Sequence, residues 1–151
     1  MPGLRILAVA SAGGHWTQIG RLRQLLAQHD TLYVTTLRDS SAPSGKRSPR
    51  VVSDASRSEP FRLLLLWLEL VRIELSFWPD VVITTGAAPG LIAMQIGKML
   101  GAQTIWIDSI ANSEELSMSG RLAAPIADLR LTQWPHLADE AANIFYLGSV
   151  L

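Results

Sequence analysis

Residues 4–26 constrain the fold of this chain more than any other stretch. Leu4, Ile6, Leu7 and Val9 make an apolar strand, Ala10-Ser11-Ala12-Gly13-Gly14-His15 a turn, and Trp16, Ile19, Leu22, Leu25 and Leu26 recur on one face of a helix. A glycine turn that leaves a buried strand and opens a helix aims backbone N–H groups, and the positive end of the helix dipole, at one spot suited to phosphate. The turn lacks the spaced glycines of a dinucleotide fingerprint and the Gly-Lys-Ser/Thr of a P-loop. A second reading therefore stays open at this point, in which the glycines only turn the chain tightly.

Such an opening needs a parallel sheet to complete it, and the remaining pattern supplies one. Gln28-His29-Asp30 breaks the first helix, and the β-branched and aromatic residues 31–36 predict a second strand. Residues 38–60 are rich in Ser, Pro, Gly and Arg, with Lys46, Arg47 and Arg50 close together. They predict a long, mobile loop with a short strand at Val51-Val52, either a solvated basic loop or one drawn to phosphate or an anionic lipid surface.

Residues 61–78 are the most apolar segment and read as a helix, with Arg62, Glu69, Arg72 and Ser76 on one narrow stripe and Glu74 off it. Its four charges, at roughly 2.5–3.5 kcal/mol each near a bilayer centre, outweigh about a dozen apolar residues at roughly 0.5 kcal/mol each, so spanning is unfavourable. The helix is either buried on most sides or offers apolar surface to a membrane or a partner protein.

Pro79-Asp80 stops that helix. Residues 81–84 then form an uninterrupted apolar strand, Thr85-Gly86-Ala87-Ala88-Pro89-Gly90 a second glycine turn, residues 91–100 a helix stopped by Gly101, and residues 104–107 a strand running into Asp108-Ser109. Further on, residues 114–120 read as a polar loop or short helix, 122–127 as a helical turn, 128–132 as a strand, 137–142 as a short helix and 144–147 as a last strand. The pattern is α/β with an open parallel sheet. Three strands run at their carboxyl ends into polar or glycine turns, which in such a sheet line one ligand crevice.

At 151 residues, 48% of them apolar and 17% charged, the chain is expected to form a single domain over residues 1–151. Thirteen basic and thirteen acidic residues cancel, which leaves no field to recruit nucleic acid. The absence of cysteine excludes disulfides and thiol catalysis. The amino-terminal apolar run reaches its glycine turn by Gly13, too soon for a signal peptide. No metal-ligand spacing, nucleophile elbow or glycosidase carboxylate pair stands out, and no cofactor is expected.

His15 is the histidine placed at a glycine turn, where a neutral imidazole would serve as a general base or as one hydrogen-bond donor to phosphate. The plainer reading is that it caps or packs. Asp108 would hold a sugar hydroxyl or assist His15, or else cap a turn. Ser11, Ser109 and Asn112 are hydrogen-bonding candidates for hydroxyls or phosphate.

Four stretches together carry a family resemblance: Ser11-Ala12-Gly13-Gly14-His15 with Leu22; Pro79-Asp80-Val81-Val82-Ile83-Thr84-Thr85-Gly86; Ile107-Asp108-Ser109; and Leu116-Ser117-Met118-Ser119-Gly120-Arg121-Leu122 through Pro125-Ile126-Ala127-Asp128 to Gln133-Trp134-Pro135. They resemble the membrane-recruiting subunit of the split eukaryotic N-acetylglucosaminyltransferase that acts on dolichol-diphosphate-GlcNAc. They are closer still to the bacterial two-chain glycosyltransferases of exopolysaccharide and capsule assembly. A remoter likeness is to the amino-terminal half of the peptidoglycan lipid-intermediate N-acetylglucosaminyltransferase.

The resemblance implies a Rossmann-like, amino-terminal half of a GT-B glycosyltransferase that holds a polyprenyl-diphosphate saccharide as acceptor. It also implies a separate donor-binding glycosyltransferase chain carrying the UDP-sugar, because the sequence ends at Leu151 where a one-chain enzyme crosses into its donor domain. Activity would then need both chains. By position, Ser11, Gly13, Gly14 and His15 match the loop expected at the acceptor diphosphate, while Gly86, Pro89, Gly90, Ser109 and Asn112 match the loops around the acceptor sugar. His15 and Asp108 are the implied catalytic residues.

One departure from the eukaryotic subunit, which carries an amino-terminal transmembrane anchor, is that the opening residues 1–26 hold no apolar run long enough to be one. Attachment to the inner face of the plasma membrane would have to come from residues 61–78 and the loop from Lys46 to Arg50. Two rival readings are a non-catalytic membrane-recruiting scaffold and a self-sufficient nucleotide- or sugar-phosphate-binding enzyme. Thr35-Thr36 stand where an acidic residue would end the second strand of an NAD site.

Overall fold

The computed structural model describes residues 3–149, so Val150 and the expected end at Leu151 lie outside the described residues. Seven strands form one sheet: β1 (Arg5–Ala10), β2 (Asp30–Thr35), β3 (Arg50–Val51), β4 (Val81–Gly86), β5 (Gln103–Ile107), β6 (Leu129–Leu131) and β7 (Ile144–Phe145). Their order is β3-β2-β1-β4-β5-β6-β7, and every pairing is parallel. Helices α1 (Gly14–Gly20), α2 (Arg23–Leu26), α3 (Pro60–Phe77), α4 (Ala87–Met99) and α5 (Met118–Leu122) cover its two faces. The fold is the Rossmann-like open sheet expected from the sequence.

Alternation along the strands builds two cores. Leu7 and Val9 of β1 point with Val34 and Val82 toward Leu66 and Leu70 of α3 and Met94 of α4. Ile6 and Ala8 point the other way, with Tyr33 and Ile83, toward Ile19 of α1 and Leu26 of α2. Full burial of a Val or Leu side chain is worth about 1.5–3 kcal/mol, so both faces of the central strands contribute and both must stay apolar.

Several boundaries differ from the sequence expectation. The first helix is two short ones, because Arg21 and Leu22 donate to the carbonyls of Gln18 and Ile19 and tighten the turn between them. At seven residues, α1 carries only a short dipole. The second glycine turn is no loop: β4 runs to Gly86 and α4 starts at Ala87. The short helix expected over 137–142 is replaced by 3₁₀ turns at Pro135–Leu137 and Glu140–Ala142.

The basic loop is tied down rather than loose. Arg47 grips Asp30 with two hydrogen bonds of 2.8 and 3.0 Å, and Tyr33 and Ser44 share a hydroxyl hydrogen bond of 2.7 Å. The Arg47 guanidinium also holds the Asp30 carboxyl below the usual carboxylate range. Arg5 and Arg47 lie 5.0 and 5.5 Å from the ring of Phe77, so the loop abuts the carboxyl end of α3.

Helix α3 buries a single face, Leu66, Leu70, Glu74 and Phe77. Its opposite face is apolar and uncovered, with Phe61, Leu64, Leu68 and Leu75 between 44% and 86% exposed. Of the two readings left open by the sequence, the helix offering apolar surface is the one the fold adopts. Among the described residues, no helix is long and apolar enough to cross a membrane. Glu74 is fully buried with neither carboxylate oxygen hydrogen-bonded, and burial pushes its pKa up to about 9, so it is a neutral acid in a core.

Candidate functional site

In an open α/β sheet the strand order reverses where a crossover changes direction, and loops leaving on either side splay apart to form a crevice. Here that point lies between β1 and β4, which pair as Ala10 with Gly86 across a register shift after Val9. The loop after β1 carries Ser11, Gly13, Gly14 and His15, and the end of β4 faces it.

His15 and Thr85 clamp one another across this gap. Nδ1 of His15 lies 2.8 Å from the carbonyl oxygen of Thr85, and the Thr85 hydroxyl donates to the carbonyl of His15 at 2.6 Å. A carbonyl only accepts, so Nδ1 must carry the proton, and in the neutral ring the lone pair belongs to Nε2. Nε2 has no hydrogen-bond partner among the described residues. The ring lies against the Cα of Gly86, where a Cβ would come within 2.7 Å of Cε1. Gly86 and Ala87 both take positive φ, 135° and 69°, so the sharp strand-to-helix turn stores backbone strain beside the imidazole.

The first glycine turn is open. Gly13 and Gly14 are exposed, a Cβ on either would meet nothing within 4 Å, and Gly13 holds φ at 82°. Ala12 donates to the Thr36 hydroxyl at 3.0 Å, which fixes the turn to the end of β2. Backbone can therefore approach a ligand closely here. Ser11 is half-buried beneath it.

Pro89 and Gly90 are instead buried in the first turn of α4. A Cβ on Gly90 would fall 2.0 Å from Oγ1 of Thr84, so this glycine lets helix and strand touch. The structure brings Gly86 to His15, and it leaves Pro89 and Gly90 packed in the interior.

Beyond β5, Asp108 is 1% exposed, and donors occupy both of its oxygens. Oδ1 accepts from Trp106 Nε1 at 3.0 Å and from the Ser117 hydroxyl at 2.6 Å, and Oδ2 accepts from the Ser117 backbone at 2.9 Å. In place of the contact with substrate or His15 expected from the sequence, this carboxylate fastens the loop over 109–117 to the start of α5. The physical reason is that Trp106 and Ser117 converge on it inside the core.

Ser109 is better placed. Its oxygen accepts from Gln18 Nε2 and from Ala111 N, both at 3.2 Å, which leaves its own proton to donate. Gln133 in turn donates to Gln18 Oε1 at 2.8 Å and to the Asp108 carbonyl at 3.1 Å. The buried pair Gln18 and Gln133 thus ties α1, β5 and the end of β6 into one frame behind the crevice. Asn112 is half-buried in the same loop, its backbone N–H on the Ser109 carbonyl at 3.1 Å.

Sequence reasoning passed over Thr85, Gln18, Gln133 and Ser117 as site-building residues. Gln18 carried a signal, being a polar residue directly beside the core position Ile19. Among the described residues no group of three or more His, Asp or Glu is placed to hold a metal ion.

Solved structures similar in fold include Acinetobacter baumannii MurG (TM-score 0.71, 14% identity, covering 95% of this chain and 45% of that one) and a Rickettsia bellii UDP-N-acetylglucosamine 2-epimerase (TM-score 0.72, 12% identity, 98% and 45%). These likenesses carry the fold alone, one half of a GT-B arrangement. Among curated relatives, the Schizosaccharomyces pombe UDP-N-acetylglucosamine transferase subunit alg14 is 30% identical over 139 residues, covering 80% of this chain and 65% of its own length. The Homo sapiens UDP-N-acetylglucosamine transferase subunit ALG14 is 26% identical over 181 residues, covering 98% and 83%. This chain thus spans just under two thirds of the fission-yeast relative and less than half of either solved structure. The family described as oligosaccharide biosynthesis protein Alg14 like matches residues 48–150, which takes in Gly86, Asp108 and Ser109 and begins after the loop of His15. With more than half of its length matched, this chain belongs to the Alg14-like oligosaccharide biosynthesis family.

Proposed function

We propose that this chain is the acceptor-binding subunit of a two-chain, inverting UDP-sugar glycosyltransferase acting on a polyprenyl-diphosphate-linked saccharide in polysaccharide assembly. The observation that carries the reading is the His15–Thr85 clamp at the β1/β4 switch point, which uses Nδ1 and leaves Nε2 unpartnered among the described residues, one position on from the open backbone of Gly13 and Gly14. In that reading the acceptor hydroxyl attacks the anomeric carbon in line, Nε2 of His15 takes its proton, and UDP leaves within the separate donor-binding chain. Ser109 and Asn112 hold the acceptor sugar, and the amides of the first glycine turn meet the diphosphate. The curated relatives are named as subunits of a transferase, which supports the need for a partner.

The chain works at the inner face of the plasma membrane through the outer face of α3 and the basic loop from Lys46 to Arg50, whose Arg47 lies over Phe77 at the carboxyl end of that helix. Binding to anionic vesicles should then be strong at low salt and weaken as salt screens the basic loop.

The decisive experiment is transfer of labelled sugar from a panel of UDP-sugars to a short-chain polyprenyl-diphosphate saccharide, using this chain alone and with its co-expressed partner. Turnover requiring both chains is expected, and turnover by this chain alone would replace the reading with a self-sufficient enzyme. In the two-chain assay, His15→Ala should lower kcat by about 10²–10⁴-fold, the usual worth of a general base, with unchanged partner binding. Wild-type turnover in that variant would leave a scaffold as the function.

A further inference from the structure

An apolar groove of about 900 Å³ runs between α3, α4 and α5, and the site described above does not use it. Leu64 and Trp67 of α3, Ala88 and Leu91 of α4, and Met118 and Leu122 of α5 form its walls. That volume lies at the upper end of ordinary ligand pockets. Its apolar side chains are left uncovered: Leu64, Trp67, Met118 and Leu122 are 57%, 40%, 52% and 45% exposed. Leaving them in water is a standing cost that an apolar occupant removes.

Position and charge narrow the occupant. Ala88 in its lining stands in the first turn of α4, two residues from the glycine against which the His15 ring lies. Leu64, also in its lining, belongs to the outer apolar face that α3 shares with Phe61 and Leu68. At the rim stands Arg57, whose guanidinium donates to the thioether sulfur of Met118 and has no carboxylate partner among the described residues. A thioether is a weak acceptor, and a phosphate oxygen would replace it with a charge-assisted bond. A groove lined mainly by apolar side chains, with a cation and serines in its lining and Ala88 close in sequence to the crevice, fits an amphiphile with an anionic head and a long apolar tail.

We propose that this groove binds the isoprenoid chain of the lipid-linked acceptor, with Arg57 turning from Met118 to the diphosphate. The proposal rests on the acceptor reading above and adds where the lipid part lies. The first isoprene units are held by protein between α3, α4 and α5, and the rest of the chain leaves over α3 toward the membrane.

The test uses the complex of this chain with its donor-binding partner and reads the ratio of kcat/KM for a geranylgeranyl-diphosphate saccharide to that for a geranyl one. Partial burial of each added isoprene unit should raise this ratio by about tenfold. Leu91→Trp and Leu122→Trp, which fill the groove, should bring the ratio close to unity. Loss of stability alone lowers both values and leaves the ratio where it was. A wild-type ratio near unity, or filled variants that keep the full chain-length dependence, would overturn the groove as the tail site. Failure of transfer to every acceptor would instead count against the acceptor reading itself.

Equilibrium binding separates the remaining occupants. Geranylgeranyl diphosphate should bind more tightly than inorganic pyrophosphate or geranylgeraniol, and Arg57→Ala should remove the advantage over geranylgeraniol. Equal binding of geranylgeranyl diphosphate and palmitate would mark a general acyl surface and reject the isoprenoid assignment. Protection of the groove by the partner chain, with no response to either lipid, would make it a protein interface and reject it too.

Discussion

The two glycine turns of this chain look alike in sequence and differ completely in space. Gly13 and Gly14 sit in the open, with nothing within 4 Å of where a Cβ would be, whereas a Cβ on Gly86 would fall 2.7 Å from the His15 ring and one on Gly90 2.0 Å from the Thr84 hydroxyl. The first turn uses glycine to expose backbone, and the second uses it to bring elements into contact. A glycine at a strand end can therefore mark either a ligand surface or the packing that positions a catalytic side chain. Only the neighbours tell which.

The contrast predicts a graded set of substitutions. The largest effect should come from Gly90→Ala, whose new methyl meets the buried Thr84. We expect a loss of about 3 kcal/mol or more in chemical denaturation, and a variant as stable as wild type would show that helix and strand do not pack this closely. Next is Gly86→Ala, which meets both a φ of 135° and the imidazole ring. Strain of about 1–3 kcal/mol should accompany a loss of about 100-fold in turnover from misplacing His15. Turnover that survives would break the link between this glycine and the site.

Thr85→Val removes one hydroxyl from the clamp and keeps the carbonyl that sets the tautomer. A stability cost of about 1 kcal/mol, with turnover kept within a few-fold of wild type, is expected, and a loss as large as that of His15→Ala would mean that the hydroxyl and not the carbonyl controls the ring. The smallest effect on folding belongs to Gly14→Ala, within about 0.5 kcal/mol because the position is open and helical. Its acceptor KM should nonetheless rise several-fold as the methyl blocks close approach. An unchanged KM would demote the first turn to the tight bend that the sequence left as its second reading.

Two buried carboxylates repeat the lesson. Asp108 and Glu74 both lie out of water, yet Asp108 has three donors around it and Glu74 has none. Asp108 at a strand end reads in the sequence as a group that holds a sugar hydroxyl, assists His15 or caps a turn, and in the fold Trp106 and Ser117 donate to both of its oxygens. Glu74 stood out in the sequence only as a charge off the polar stripe of its helix. That misfit was the visible trace of an acid held neutral in the core.

Much of the architecture was legible beforehand, because apolar runs such as residues 81–84 and 104–107 can be satisfied only in a sheet covered on both faces. The crevice was legible as well, since parallel strands must place their carboxyl-end turns together. The locations of Ser11, Gly13, Gly14 and His15 followed from that rule. Local pattern could not reveal the frame of Gln18, Gln133 and Ser109, whose members come from distant parts of the chain and meet only after the sheet closes. The basic loop misled for a similar reason: composition registers its arginines, but Asp30 and Phe77, which hold Arg47, are brought to it by the strand and helix they end.

The sequence by itself thus determined the layers, the parallel sheet and the identity of the loops at its switch point, because periodicity and turn chemistry act over a few neighbouring residues. Tertiary structure decided which nitrogen of His15 stays unpartnered, which glycines are open, which carboxylates are spent on packing, and that α3 keeps an uncovered apolar face. Those outcomes depend on hydrogen-bond partners and contact distances between residues far apart in the chain, and such pairings exist only in the folded molecule.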